Sequence, residues 1–302
     1  MRSTRAVIKR TLVAFYDDQM THHAAALTYY ALMSLFPAVL FSLSLLALIG
    51  QYPATYEAII GYLDDVVPAA ALQPLDDSLK EALQNKGSAL TGVVLSVLLT
   101  FYGTTGVLEA ARRALNVTFE TEGGRSFLRR KAIDIGLTIG LMGLILASMV
   151  MLFVGGGFAR DMFGFIGLGP TAADVWGIAR WPGALAVTML IFAVIYYVVP
   201  DVEHRGFRWV TPGAVVGVLI WLAASIGFST YISQVANVGA IYGTFAGAII
   251  LVGWLWLTNV ALLFGAELDA EIERQQQLGE GVPMDETLDL PVRTGNREPE
   301  AG

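Results

Sequence analysis

Tyr30, Ser34 and Pro37 lie along one side of a single apolar run, HHAAALTYYALMSLFPAVLFSLSLLALIG, at residues 22–50. Hydroxyls at Tyr29, Tyr30 and Ser34 could line a polar path through it. Pro37 has no N–H for the Met33 carbonyl, so a kink or local opening is expected there. Ser34 could satisfy the freed backbone group, as membrane helices allow. Tyr242, just before the last apolar run, and Asn259, within it, are the partners such a lining would take from the far end of the chain.

Other chemistry finds little to work with. The chain has no cysteine and three histidines, His22, His23 and His204. That excludes disulfides, thiolate metal sites and a cysteine nucleophile. No H-E-x-x-H, G-x-S-x-G or G-x-x-x-x-G-K-[ST] pattern is present, so the sequence assigns no catalytic residue, metal ligand or cofactor. Rings at adjacent positions point ~100° apart on a helix, so His22 and His23 read as polar residues at an interface.

Carboxylates within membrane spans are the usual mark of ion coupling. Here Glu109, Asp134, Glu267 and Asp269 all fall near one set of span ends. Glu267 shares a face with Glu271, which fits a solvated helix end. It equally fits a carboxylate braced by a basic residue of the N-terminal segment or of the loop at Arg125, Arg129, Arg130 and Lys131.

The elements that must hold these residues are membrane helices. The chain is 55% hydrophobic and 15% charged, against about 25% charged in soluble domains. Six stretches reach the ~20 apolar residues a crossing needs: 24–50, 88–108, 133–155, 182–199, 210–232 and 244–268. None contains Lys or Arg. Of the 19 Lys and Arg, only Lys80, Lys86, Arg160 and Arg180 fall in one set of connecting loops. The others share the opposite side with both termini, which the positive-inside rule places in the cytoplasm. The expected fold is an all-α bundle of six transmembrane helices.

Residues 1–23 form an amphipathic segment, with Ile8, Leu12 and Phe15 on one helical face. It lies in the membrane interface or packs as a short helix on the bundle. Residues 24–274 make the membrane domain. The outer loop at 51–87 has apolar residues at helical spacing, punctuated by Pro68 and Pro74, and is expected to form two short helices. The tail at 275–302 has few large apolar residues and is expected to be disordered. Glycine pairs at Gly136/Gly140 and Gly213/Gly217, and a stripe at Gly239, Gly243 and Gly247, are expected to pack helices closely.

Five segments in order carry a resemblance: AAALTYYALMSLFP at 24–37, RRALN at 112–116 followed by RSFLRRK at 125–131, WVTPGAVVGVLIW at 209–221, IYGTFAGAIILVGWLW at 241–256, and GAELDAE at 265–271. In these the chain resembles the YihY/virulence factor BrkB family of bacterial inner-membrane proteins, from about residue 10 to 273. One departure is Asp269, where that motif often has Asn. The resemblance implies six transmembrane helices with cytoplasmic termini and no settled activity. The ribonuclease label some members carry is regarded as a mistake. Envelope and lipopolysaccharide phenotypes in the family imply a transporter or lipid-handling protein.

The expected partners are membrane lipids, with anionic headgroups meeting the basic loop, and no nucleic acid. Asn116, Arg125, Arg129, Arg130, Lys131 and Glu267 are the candidate charge network or headgroup contact. Tyr29, Tyr30, Ser34, Pro37, Tyr242 and Asn259 are the candidate cavity or gate. A non-transporting scaffold for envelope assembly is the alternative, and a membrane-bound ribonuclease comes last.

Overall fold

The computed structural model describes residues 4–49, 56–57, 60, 80, 86–121, 124–153, 156–165, 169–203, 209–234, 245–279, 288, 290–291 and 293; of 36–49 and most of 86–104 the backbone alone is described. These residues are helical apart from turns and one isolated backbone bridge at Val202. The helices are α1 (Thr4–Asp17), α2 (Met20–Ile49), α3 (Lys86–Thr118), α4 (Phe127–Phe153), α5 (Gly156–Phe165), α6 (Gly169–Val198), α7 (Pro212–Gln234) and α8 (Ala246–Gly279). Among the described residues, four segments are long and apolar enough to cross a membrane: Phe127–Leu152, Thr171–Val198, Pro212–Gln234 and Ala246–Gln277. They match the last four expected spans. The backbones of α2 and α3 cover the first two.

Local chemistry sets the helix ends. Thr211 caps α7: its hydroxyl accepts from the Ala214 N–H at 3.0 Å, with Pro212 at the first helical position. α3 closes in a Schellman turn. The Glu120 N–H bonds the Val117 carbonyl at 3.0 Å, and the Thr121 N–H bonds the Asn116 carbonyl at 2.8 Å. Glu120 takes the left-handed position there at φ 51°, which glycine usually fills. Its carboxylate is in use: it meets Arg274 and accepts from the Leu288 N–H at 2.7 Å. Gln19, at φ 53°, makes the break between α1 and α2.

α6 starts at Gly169, far ahead of the expected 182, and keeps Pro182 in its interior. Arg180 had ended the apolar window. In the fold its guanidinium donates to the Leu152 carbonyl at 3.2 Å and lies 4.9 Å from the Trp181 ring, so the charge is accommodated on the helix flank. Likewise α8 continues through 275–279, and Leu288 and Leu290 of the expected tail are buried. The short helices expected at 51–87 lie outside the described residues, except for Tyr56, Glu57, Ile60, Lys80 and the start of α3 at Lys86 and Gly87, as do Gly239 and Gly243.

The chain forms two compact units. One holds residues 29–107. In it, Tyr30 and Ser34 of α2 pack on glycines of α3. A Cβ on Gly106 would lie 2.5 Å from the Tyr30 ring, and one on Gly103 would lie 2.9 Å from Ser34 Cα. The other unit holds residues 1–28 and 108–302. There α8 packs on α7 and α1, and α6 packs on α4, α5 and α7. Its core is built from small and branched residues, among them Ala214, Val218, Ala261, Leu263 and Ala266.

The equivalent-looking glycine pairs fare differently. Gly213 and Gly217 are filled by α8, whereas nothing lies within 4 Å of a Cβ built on Gly136, Gly140 or Gly247.

Candidate functional site

The larger unit gathers its buried charges at one end of its helices. After α6 the chain turns through Pro200 and Asp201, both buried. Asn116 of α3 grips this turn with both ends of its amide. Its Oδ1 accepts from the Asp201 N–H at 2.9 Å, and its Nδ2 faces Asp201 Oδ2 at 3.4 Å. Arg125, just before α4, closes the other side. Its Nη1 donates to the Val198 carbonyl at 2.9 Å, and its Nε lies 3.4 Å from Asp201 Oδ1. The side chains of Arg125 and Asp201 are 1% and 3% exposed. Carbonyls at a helix C-terminus lack intrahelical donors, so a cation is well placed there. Burial pulls the Arg125 guanidinium down to about 10, with Arg293 adding and Asp201 opposing. It stays charged at neutral pH.

A second buried arginine pins α3 to α4. Arg112 donates to Glu109 Oε2 at 2.9 Å and pairs with Asp134. A third group sits where α3 meets α8: the Thr118 hydroxyl donates to Glu267 Oε1 at 2.8 Å. Beside it Arg274 pairs with Glu120 and lies 3.5 Å from Glu271. Burial, with Glu120 adding, raises the neighbouring Asp18 carboxyl above its ordinary value.

The tail closes over this end. The Glu203 N–H bonds the Pro291 carbonyl at 2.7 Å, and the Arg293 N–H bonds the Asp201 carbonyl at 2.9 Å. The Arg293 guanidinium donates to the Tyr197 carbonyl at 3.2 Å and stacks 5.0 Å from the Tyr197 ring.

The α7–α8 seam completes the arrangement. Tyr196 donates to the Leu262 carbonyl at 2.6 Å, and Asp269 Oδ1 accepts from the Gly213 N–H at 2.7 Å. A carboxylate at the first turn of α7 faces the positive end of the helix dipole. The role is that of an acceptor, which an amide oxygen fills as well. We expect Asp269→Asn to keep the fold and shift stability by less than about 1 kcal/mol, and Asp269→Ala to cost about 1–2 kcal/mol. Thermal unfolding in detergent separates the two.

The residues singled out in sequence divide between the two units. Tyr29, Tyr30 and Ser34 belong to the smaller one; Tyr29 and Tyr30 meet edge to face at 5.3 Å, and the Ser34 hydroxyl donates to the Ala31 carbonyl at 2.8 Å. α2 runs through Pro37 without ending, and the Pro37 side chain lies outside the described ones. Tyr242 lies outside the described residues. Asn259 belongs to the larger unit, where its Nδ2 donates to the Thr28 hydroxyl at 3.1 Å.

Of the charged candidates, Asn116 and Arg125 come together around Asp201. Arg125 turns inward. Arg129 is exposed at the start of α4, and Arg130 and Lys131 are half-buried. The hydrogen bond recorded for Glu267 is to Thr118, with no ion pair to a basic residue among the described residues. Burial, with His22 beside it, lowers the His23 imidazole, which stays neutral at pH 7.

Asp201, Thr118, Tyr196 and Arg293 were not among the site candidates of the sequence reading. The one local signal was Pro200–Asp201 at the end of an apolar run. Among the described residues no group of His, Asp and Glu could hold a metal ion.

A family model described as virulence factor BrkB matches residues 11–287. A ribonuclease-like protein, YfkH, of Bacillus subtilis is 28% identical over 260 residues, covering 86% of this chain and 92% of that protein. A UPF0761 membrane protein of Nitrosospira multiformis is 28% identical over 281 residues, covering 90% of this chain. One of Xanthomonas campestris pv. campestris is 26% identical over 259 residues, covering 84%. The chain spans 62% and 57% of the lengths of these last two. No solved structure matches.

Proposed function

The chain is a membrane protein that belongs to the virulence factor BrkB family, and on that premise we propose that it is a transporter or lipid-handling protein of the bacterial inner membrane. In this reading it crosses six times with both termini in the cytoplasm. The observation that carries the lipid part is the head of α4. Arg129, Arg130 and Lys131 stand at the start of the apolar segment Phe127–Leu152. Farther along it Ile135, Ile139, Met142, Leu146 and Met149 are exposed. A phospholipid has the same order of parts, an anionic head and then an apolar body. Basic residues at a membrane surface attract anionic lipid by about 1 kcal/mol each.

The buried charges support the same division of labour. Arg112, Arg125, Asp134 and Asp201 are paired with one another, so they hold helices together. In this reading Arg129, which is exposed, meets headgroups together with the half-buried Arg130 and Lys131.

The test is lipid retention. Arg129, Arg130 and Lys131 are changed together to Gln, and phosphatidylglycerol bound to the purified protein is counted by native mass spectrometry. We expect at least a tenfold loss of retained phosphatidylglycerol, with phosphatidylethanolamine little changed. Unchanged retention would remove the headgroup role.

The scaffold reading draws on the α7–α8 seam, which glycines close tightly. It predicts that Tyr30 and Ser34 only pack α3. The name of the Bacillus relative offers a ribonuclease reading, which the residues described here support least.

A further inference from the structure

α1 has two unlike faces. One is settled by contact: Thr11 is fully buried, its hydroxyl donates to the Val7 carbonyl at 3.1 Å, and Phe15 meets Phe264 of α8 at 5.7 Å between ring centroids. The other carries Ile8, Leu12, Val13 and Tyr16; Leu12 is 55% and Tyr16 82% exposed. Ile8, Leu12 and Tyr16 follow each other in steps of four, so they form one stripe along the helix. Arg5 and Lys9, also four apart, run beside it. Up to Asp17 the helix carries Arg5, Lys9 and Arg10 and no acid, within a chain of net charge -7.

An apolar stripe edged by long basic side chains fits the surface of a bilayer. The apolar residues sink below the headgroups, while the Arg and Lys stems follow them and lift their charges to the phosphates. Charge complementarity selects anionic lipid over a second copy of this chain, because the same face on a second copy would set basic row against basic row. Position agrees with this. Phe264, against which α1 rests, belongs to Ala246–Gln277, a segment apolar enough to span. Trp256 of that segment reaches the Thr21 carbonyl at 3.4 Å, so the chain just after α1 also follows α8. The bilayer that holds α8 is therefore beside α1.

We propose that α1 is a surface-seated helix that docks its Ile8–Leu12–Tyr16 stripe into an anionic bilayer face while its Thr11–Phe15 face grips α8. The proposal rests on α8 crossing the membrane and is independent of whether the protein moves lipid.

The absence of native cysteines permits single-site labelling of the full chain. Nitroxide labels are placed at Leu12→Cys and Tyr16→Cys on the stripe, at Asp17→Cys as a solvent control, and at Ile249→Cys on the exposed side of α8. Each protein is reconstituted in nanodiscs of phosphatidylcholine with or without phosphatidylglycerol. Collision with oxygen and with a nickel chelate reports depth. We expect the oxygen-to-nickel ratio at 12 and 16 to exceed that at 17 severalfold in the anionic discs. Arg5→Glu with Lys9→Glu should lower it toward the control.

Equal ratios at 12, 16 and 17, with a bilayer signal at 249, overturn the α1 proposal alone. No bilayer signal at 249 either would overturn both it and the spanning premise. Spin–spin broadening at 12 and 16 that vanishes on dilution with unlabelled protein would assign the stripe to a second copy and overturn the lipid assignment. Leu12 and Tyr16 are both exposed, so either label can be read if the other disturbs folding.

Discussion

Arg125→Ala is expected to destabilise the protein by about 3–5 kcal/mol, the usual penalty for removing one partner of a buried ion pair. Asp201, 3% exposed in its side chain, would lose its arginine partner and be left, among the described residues, with the 3.4 Å contact from Asn116 Nδ2. The Val198 carbonyl would lose its donor as well. Arg125→Lys should recover little, because an ammonium cannot hold the carbonyls of α6 and the carboxylate in one planar fork.

The opposite outcome is expected when both charges go together. Replacing a buried pair by apolar residues of similar size is often neutral or better. Arg125→Met with Asp201→Leu should therefore recover most of the loss. Unfolding temperatures in detergent for the two single changes and the double change decide the matter. A double variant no better than Arg125→Ala would mean that hydrogen bonds to the backbone, not the charge pair, hold this end together.

Gly213→Val is expected to yield little folded protein. A Cβ at Gly213 would overlap the Gly265 carbonyl oxygen and lie 2.5 Å from Asp269 Cγ. One at Gly265 would overlap the Tyr196 hydroxyl and lie 2.5 Å from the Gly213 carbonyl oxygen. The nearest obstacle at Gly213 is the Gly265 backbone, which cannot rotate away, so α7 would have to move off α8. That would stretch the Gly213–Asp269 hydrogen bond. Overpacking alone typically costs about 1–3 kcal/mol, and the lost hydrogen bond adds to it.

The controls are in the same molecule. Gly217→Ala brings a Cβ to 3.1 Å from the Ala261 carbonyl oxygen and should be milder. Gly140→Ala meets nothing within 4 Å and should be neutral or slightly stabilising, since alanine is the better helix former. Detergent-extracted yield and the monodisperse fraction on gel filtration rank the series. Equal yields for Gly213→Val and Gly140→Ala would contradict the close seam.

The contrast between these glycines shows where the sequence stops being readable. Gly136/Gly140 and Gly213/Gly217 have identical spacing, yet α8 fills only the second pair. Spacing says that a backbone can approach; which helix arrives is decided by the whole packing. The apolar segments were legible because lipid imposes a length and forbids charge. Their ends were less so: Arg180 interrupted the window although α6 accommodates it on its flank. Glu267 and Asp269 stood out as acids at a span end, but their partners, a threonine hydroxyl and a backbone N–H, carry no charge pattern to find. Asp201 was invisible for a related reason. Its partners Asn116 and Arg125 belong to α3 and to the turn before α4, and nothing local announces that pairing.

The backbone bridge between Asp201–Glu203 and Pro291–Arg293 makes the order of synthesis part of the assembly. Asp201 and Arg125 leave the ribosome long before Arg293 exists. Leu288 and the Glu120 carboxylate that receives its N–H are 168 positions apart. Until residues 288–293 emerge, the Glu203 N–H, the Asp201 carbonyl and Glu120 must wait on water for the donors and acceptor these residues supply. The helices can be threaded and packed while translation continues, but this end of the protein is sealed only once residues 288–293 have emerged. A chain cut short before Leu288 would thus resemble a nascent one, fully inserted yet held at the last step before closure.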